Sequence, residues 1–264
     1  MPDPFHLDRR RPSPVGERFA ADTAELIDAT LAAVSYAGRT GGPFYDFLRV
    51  GATRVLFALI DFGDAFEENA KIIETTQTSL RQVGTQVFRE QEVNFAEAMI
   101  ELCLELNRTM LETAGQARSL PAFVGCYEES LGTAWYVNAG PTAALVRDQT
   151  GVVELPATGL SLGLFSHAPC DASPVALMPG AALLVVPHAM LAANSPGQEP
   201  GLEALKAALR ETAAANANDL CLAILARLEA LSHPPPDSRQ GTVLALVRST
   251  AAKVSRTGPG WRPI

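Results

Sequence analysis

The chain has 264 residues, 47% hydrophobic and 19% charged, the composition of an ordinary folded domain rather than a disordered or fibrous chain. Its formal net charge of -8 and sequence pI near 5.1 argue against nucleic acid as a main partner. No apolar run approaches the roughly 18 residues of a membrane-spanning helix, and no apolar signal segment opens the chain, so a cytoplasmic protein with no membrane partner is expected.

Residues 1–18 are rich in proline and charge, including Arg9-Arg10-Arg11, and read as a flexible N-terminal segment. The spacing of Leu26, Ile27, Ala29, Leu31 and Val34 predicts a short helix over 22–34, capped by Asp22 or Thr23. Two β-rich runs, 45–50 and 53–60, turn at Gly51-Ala52 and predict a hairpin. Phe66, Ala70, Ile73, Gln77 and Leu80 then trace a helix over 66–83, and Ala96, Met99, Cys103, Leu106 and Met110 trace another over 92–113. Hairpins follow at 123–127 with 133–138, and at 143–147 with 151–155.

Strands are expected at 175–177 and 182–186. The second is five consecutive apolar residues between Pro179-Gly180 and Pro187-His188, the signature of a central strand. The loop leaving such a strand is a common place for chemistry. Leu202, Leu205 and Leu209 mark a third helix. Leu220, Ile224, Leu228 and Leu231 mark a fourth, capped by Asn218 or Asp219. The prolines of 233–237 make a stiff loop, 241–248 a closing strand, and the tail from 249 is expected to be loosely held. With no repeat or dividing linker, the expected organisation is one domain over 19–248 between a segment at 1–18 and a tail at 249–264. Strand pairs, two helices, more strands, two helices and a last strand do not make a βαβ alternation, so the fold class is α+β.

The four cysteines, Cys103, Cys126, Cys170 and Cys221, are far apart in sequence and make no C-x-x-C. Cys103 and Cys221 fall on helical apolar stripes, so buried thiols are expected rather than a disulfide framework. His167 and His188 read as ordinary loop residues. There is no G-x-S-x-G, Walker loop, H-E-x-x-H or G-x-G-x-x-G.

Three segments occur in order and at compatible spacing: Tyr136-Val-Asn-Ala-Gly140, Thr158-Gly-Leu-Ser-Leu-Gly-Leu-Phe165 and Leu177-Met-Pro-Gly180. Together they resemble the metal-dependent protein phosphatase (PPM, protein phosphatase 2C-like) superfamily, in its SpoIIE-like branch of bacterial sporulation and stress-response phosphatases. The resemblance implies a PPM-type α-β-β-α sandwich, two antiparallel sheets face to face with helices outside. It implies hydrolysis of phosphoserine or phosphothreonine by two Mn or Mg ions, held by aspartates, that activate a bridging water. It also implies a partner: a regulatory protein of a sigma-factor pathway, similar to an anti-sigma-factor antagonist.

The metal ligands of the pattern are largely replaced. Where the branch has G-G-D-[FYW]-Y-D, this chain has Gly41-Gly42-Pro43-Phe44-Tyr45-Asp46, with Pro43 at the first aspartate. Where it has G-D-x-S-G-[KH]-G, Asp61 is kept, while the later glycines fall on Asp64 and Phe66. Asp64 also reads as the cap of the following helix. The T-D-G after the central strand is Pro187-His188-Ala189, the N-A-G-H-P motif is Asn138-Ala-Gly-Pro-Thr142, and the D-D-x-T is Arg239-Gln240-Gly241-Thr242. Proline has no side-chain donor, and a guanidinium repels a cation.

Asp61 is therefore the one retained metal candidate. Asp46, Asp64, Glu67 and His188 stand as substitutes, with Asp61 and His188 making a softer site. Arg239 would neutralise phosphate charge without generating a nucleophilic water. No residue is assigned a catalytic role. The reading is a pseudophosphatase that binds its partner, with no cofactor expected, or Mn or Mg if it is active. Two alternatives stand beside it: a working phosphatase (a phosphoric monoester hydrolase) with an atypical metal site, and a structural module that homodimerises through its amphipathic helix pair.

Overall fold

Apolar runs become strands in this chain because both faces of each central strand are covered. The computed structural model describes residues 7–15, 19–36, 43–63, 66–90, 92–167, 169–191, 201–231 and 241–250. The elements are β1 (Asp8–Val15), β2 (Phe19–Glu25), β3 (Ala29–Tyr36), β4 (Phe44–Arg49), β5 (Arg54–Ile60), α1 (Phe66–Phe88) and α2 (Phe95–Ala114). The chain continues through β6 (Ala122–Glu128), β7 (Thr133–Ala139), β8 (Thr142–Asp148), β9 (Gly151–Glu154), β10 (Ser173–Ala176) and β11 (Ala182–Pro187). A one-turn 3-10 helix (His188–Met190), α3 (Gly201–Glu211), α4 (Ala217–Leu231) and β12 (Thr242–Arg248) complete it.

The strands form two antiparallel sheets, one of seven in the order β1-β2-β3-β12-β11-β8-β9 and one of five in the order β10-β7-β6-β5-β4. In β5, Val55, Phe57 and Leu59 point between the sheets, while Leu56, Ala58 and Ile60 point out under α1 and α2. In β11, Leu183 and Val185 face between the sheets, and Ala182, Leu184 and Val186 face α3 and α4. Three apolar layers therefore hold the fold: one between the sheets and one beneath each helix pair. This is the α-β-β-α sandwich the resemblance implies. Alternation is invisible in such strands because neither face is polar.

The same burial explains the main correction. Residues 22–34 are not a helix but most of the hairpin β2–β3, turned at Leu26-Ile27-Asp28. Ala29, Leu31 and Ala33 face the inter-sheet core, while Ala32 and Val34 lie under α4. A strand buried on both faces satisfies a helical stripe by coincidence, and pairing along the whole of β12 outweighs local propensity. Asp22 is a buried residue within β2 rather than a cap.

Asp8–Val15, expected to be frayed, is an edge strand paired with β2, with a register irregularity between Arg10 and Ser13. An edge tolerates Pro12 and Pro14, which a central strand would not. The α4 cap is Asn216, whose Oδ1 accepts from the Asp219 N–H at 2.9 Å, and neither Asn218 nor Asp219 takes that place. The helix expected over 92–113 starts after Asn94, whose side chain accepts from the Glu97 N–H.

Candidate functional site

Strand register decides which residues share an end of the sandwich. In the five-stranded sheet, Ile60 pairs with Ala122, and Ala122 with Ala139. The Asp61 N–H continues this edge by donating to the Pro121 carbonyl at 2.8 Å. The chain crosses to the other sheet at Gly140-Pro141, and Thr142 of β8 pairs with Pro187 of β11. Val185 pairs with Leu244, which brings the start of β12 to the same end. Asp61, Gly140, His188 and Gly241 thus stand at one pole, split between two sheets.

Two of the three segments that carry the resemblance meet there. The Asn138 N–H donates to Thr158 Oγ1 at 3.0 Å, and the Thr158 N–H donates to the Asn138 carbonyl at 2.8 Å. The Asn138 side chain then donates to the carbonyls of Thr142 and Leu155, closing the corner between the sheets. Its place in the motif is structural.

Asp61 is the retained acid of this pole. Its Oδ1 accepts from the Gly63 N–H at 2.9 Å, an Asx-turn that lets the chain reverse just beyond β5. Gly63 takes a φ of 71°, a left-handed conformation in which glycine is unstrained. Phe62 tucks under the turn edge-on to Phe44, ring centres 6.3 Å apart. Fully buried Asn69, on α1, donates to the Phe62 carbonyl at 2.9 Å and accepts from the guanidinium of Arg118. One amide therefore positions both the Asp61 turn and Arg118. Asp61, Gly63, Arg118, Ser119 and Pro121 line a cavity of about 360 Å³. Among the described residues its charge comes from one carboxylate and one guanidinium.

The other expected positions are placed as follows. Asp46 is wholly buried in β4, where Arg81 Nε and Nη2 donate to it at 2.7 and 3.0 Å and Gln77 Nε2 at 3.3 Å. The carboxylate is directed into the β4–α1 contact. Pro43 precedes β4, and Pro187 is the buried last residue of β11. His188 and Ala189 are exposed in the 3-10 turn, and His188 is not among the residues lining the Asp61 cavity. Asp64, Arg239, Gln240, the Glu67 side chain and the 233–237 loop lie outside the described residues. Among the described residues no three His, Cys, Asp or Glu side chains converge as a metal-binding group.

His167 is exposed beside Ser166, with Oγ and Nδ1 3.1 Å apart. Both border a larger hollow of about 740 Å³ on the outer face of α2, with Ile100 and Leu104 among Glu97, Glu101 and Glu105. That hollow is bigger than the Asp61 cavity but contains none of the positions singled out for metal chemistry. Arg118 and Asn69 are the site residues that sequence reasoning missed. No local pattern pointed to Arg118: it stands in the segment entering β6, and its place depends on the pairing of Ala122 with Ile60.

Residues 76–239, more than half of the chain, match the family model described as stage II sporulation protein E (SpoIIE). No curated protein matches. Among solved structures, the RsbU and RsbW domains of a Mycobacterium tuberculosis protein align with a TM-score of 0.62 at 20% identity. That alignment covers 85% of this chain and 62% of that one. The PP2C phosphatase domain and regulatory-domain fragment of SpoIIE from Bacillus subtilis align with a TM-score of 0.61 at 11% identity, over 93% and 83% of the two chains. The catalytic domain of the serine/threonine protein phosphatase PstP, in complex with two manganese ions, aligns with a TM-score of 0.56 at 10% identity, over 84% and 99%. At these identities the structural likeness is one of fold.

Proposed function

This chain belongs to the SpoIIE family of protein phosphatase 2C-like domains, and from that premise we propose that it acts in bacterial signalling by binding a phosphorylated regulatory protein without hydrolysing it. The observation that carries this reading is the presence of Asp61 and Arg118 on the wall of one cavity, together with the commitment of Asp46 to Arg81. PstP was captured with two manganese ions. Hard dications need several oxygen donors in reach of both ions. The described donors at this pole are a poor match: one carboxylate that already accepts from Gly63, a guanidinium across the cavity, and an imidazole that does not line it.

A guanidinium fixed by a buried amide suits a different task. Arg118 retains donors beyond the one given to Asn69, and a guanidinium binds phosphate oxygens in a fixed fork. Recognition would then run through Arg118, with the Asp61 turn shaping the cavity wall. Family membership supports one partner class for this proposal: a regulatory protein of a sigma-factor pathway, similar to a serine-phosphorylated anti-sigma-factor antagonist. The solved M. tuberculosis structure likewise contains an RsbU and an RsbW domain.

The test uses a serine-phosphorylated antagonist protein as probe, with binding measured in EDTA and in Mn²⁺ and phosphate release followed in parallel. The expected result is equal affinity under both conditions and no release. Arg118→Ala should weaken binding at least about tenfold, the worth of one charge-assisted hydrogen bond. Asp61→Ala should leave affinity unchanged or tighter, because it removes a negative charge near the phosphate. Mn²⁺-dependent release abolished by Asp61→Ala would overturn the reading in favour of a working phosphatase.

A further inference from the structure

We propose that the outer face of α2 is a docking groove for a basic amphipathic helix of a partner protein. The groove is the hollow of about 740 Å³ between α2 and Ser166-His167. It shares no residue with the Asp61 cavity, so it is a surface in addition to the one given to the phosphorylated protein.

The helix carries two apolar faces where its packing needs one. Met99, Leu102, Cys103, Leu106 and Met110 are buried in the layer over the five-stranded sheet. The side turned to water should then be polar throughout. Instead Ile100, Leu104 and Leu111, at successive spacings of four and seven, make a second stripe along the floor of the hollow. Leu104 is 45% exposed, and Phe165, beside the rim, is 54% exposed. From Ile100 to Leu111 the stripe runs about 16 Å, roughly three helical turns. Its wall is fixed by Asn107, which is buried on α2. The Asn107 Nδ2 donates to the Phe165 carbonyl at 2.9 Å, and its Oδ1 accepts from the Gly163 N–H at 2.8 Å. A straight apolar floor beside a pinned wall suits a helix that lays its apolar face into the groove.

The charge of the rim selects the occupant. Every charged residue of α2 lines the hollow: Glu97, Glu101, Glu105, Arg108 and Glu112, four carboxylates to one guanidinium. That guanidinium is already shared between Glu105 and Glu112. Among the described residues no cation pairs with Glu97 or Glu101. Lysines or arginines flanking the apolar face of a partner helix supply the missing charge, which steers encounter and fixes register. A second copy of this chain is a poor occupant. An isologous contact through α2 would set the four glutamates against their own equivalents, in a chain of net charge -8.

The experiment titrates the full chain into a fluorescent peptide of about 18 residues, long enough to hold a helix, with leucines on one face and lysines on the other. A second peptide carries glutamates in place of the lysines. The expected result is binding of the lysine peptide alone, weakened by salt, with slower amide exchange in α2 and in residues 163–167. Leu104→Ser, at a half-exposed position that the fold does not need, should weaken binding at least about tenfold. Glu101→Lys should weaken it about fivefold, and Glu74→Lys, on the exposed side of α1, less than about twofold. Equal weakening by Glu74→Lys and Glu101→Lys would reduce the effect to bulk charge and overturn the proposal. So would protection confined to other elements, or equal binding of the glutamate peptide. A concentration-dependent dimer in sedimentation that Leu104→Ser dissolves would also overturn it, by assigning the groove to a second copy.

Discussion

The carboxylate of Asp46 is held by the guanidinium of Arg81, through hydrogen bonds of 2.7 and 3.0 Å that tie β4 to α1. Asp46 is wholly buried while the Arg81 side chain is about half exposed, so loss of the cation leaves an anion with little access to water. Arg81→Ala should lower stability by about 2 kcal/mol, below the 3–5 kcal/mol of a fully buried pair because water screens one partner. Urea unfolding measures this as a fall in midpoint at constant m-value. Asp46→Asn should cost less than Arg81→Ala and should leave the Mn²⁺ titration of the protein unchanged.

At the opposite pole, Arg248 links the β2–β3 turn to the chain leaving β10. Its Nε donates to Asp28 at 2.8 Å and its Nη1 to the Leu177 carbonyl at 2.6 Å, while the Tyr127 hydroxyl donates to the same Asp28. Arg248→Met removes the cation and keeps the bulk. The expected loss is about 3 kcal/mol, the cost of leaving a mostly buried carboxylate without its counter-charge. Differential scanning calorimetry should register a lower Tm, and an unchanged Tm would refute the assignment.

Glu128 makes a pH prediction. Burial alone would raise its pKa, but hydrogen bonds from Ser130, Thr53 and Arg54 together outweigh burial and hold it below the ordinary carboxylate range. A carboxyl lowered in the folded state contributes stability above its unfolded pKa and loses that contribution as pH falls through the folded value. Stability should therefore decline on acidification below about pH 4.5, near the unfolded glutamate pKa. Glu128→Gln should decline less steeply over the same interval. Parallel slopes in urea titrations across that range would count against the assignment.

Gly125 of β6 sits against the edge of the Phe57 ring. A Cβ there would lie 2.4 Å from the ring edge, and both residues are fully buried. Gly125→Ala should destabilise by about 1–3 kcal/mol through overpacking, although alanine is otherwise the better-tolerated residue in a strand. Adding Phe57→Leu should recover part of the loss, which a double-mutant cycle measures.

The parts of the fold that were legible from sequence are those where one signal had one meaning. Five apolar residues between Pro179-Gly180 and Pro187 could only be a covered strand, and the Phe66-to-Leu80 stripe could only be a helix. The stretch from Asp22 to Val34 misled because Ala29, Leu31, Ala32 and Val34 are buried on alternate faces, so their spacing mimicked a helical stripe. Asp61 was singled out because it alone of its motif is kept, the later glycines having become Asp64 and Phe66. Arg118 was not, because its position depends on the β5–β6 pairing and on Asn69, which no local pattern announces.

The most direct test of the central claim is calorimetric titration of the metal-stripped full chain with Mn²⁺ at near-neutral pH. The Asp61 and Arg118 cavity predicts no binding heat up to millimolar Mn²⁺. Two sites of micromolar affinity, lost in Asp61→Ala, would contradict the account and identify a metal centre in its place.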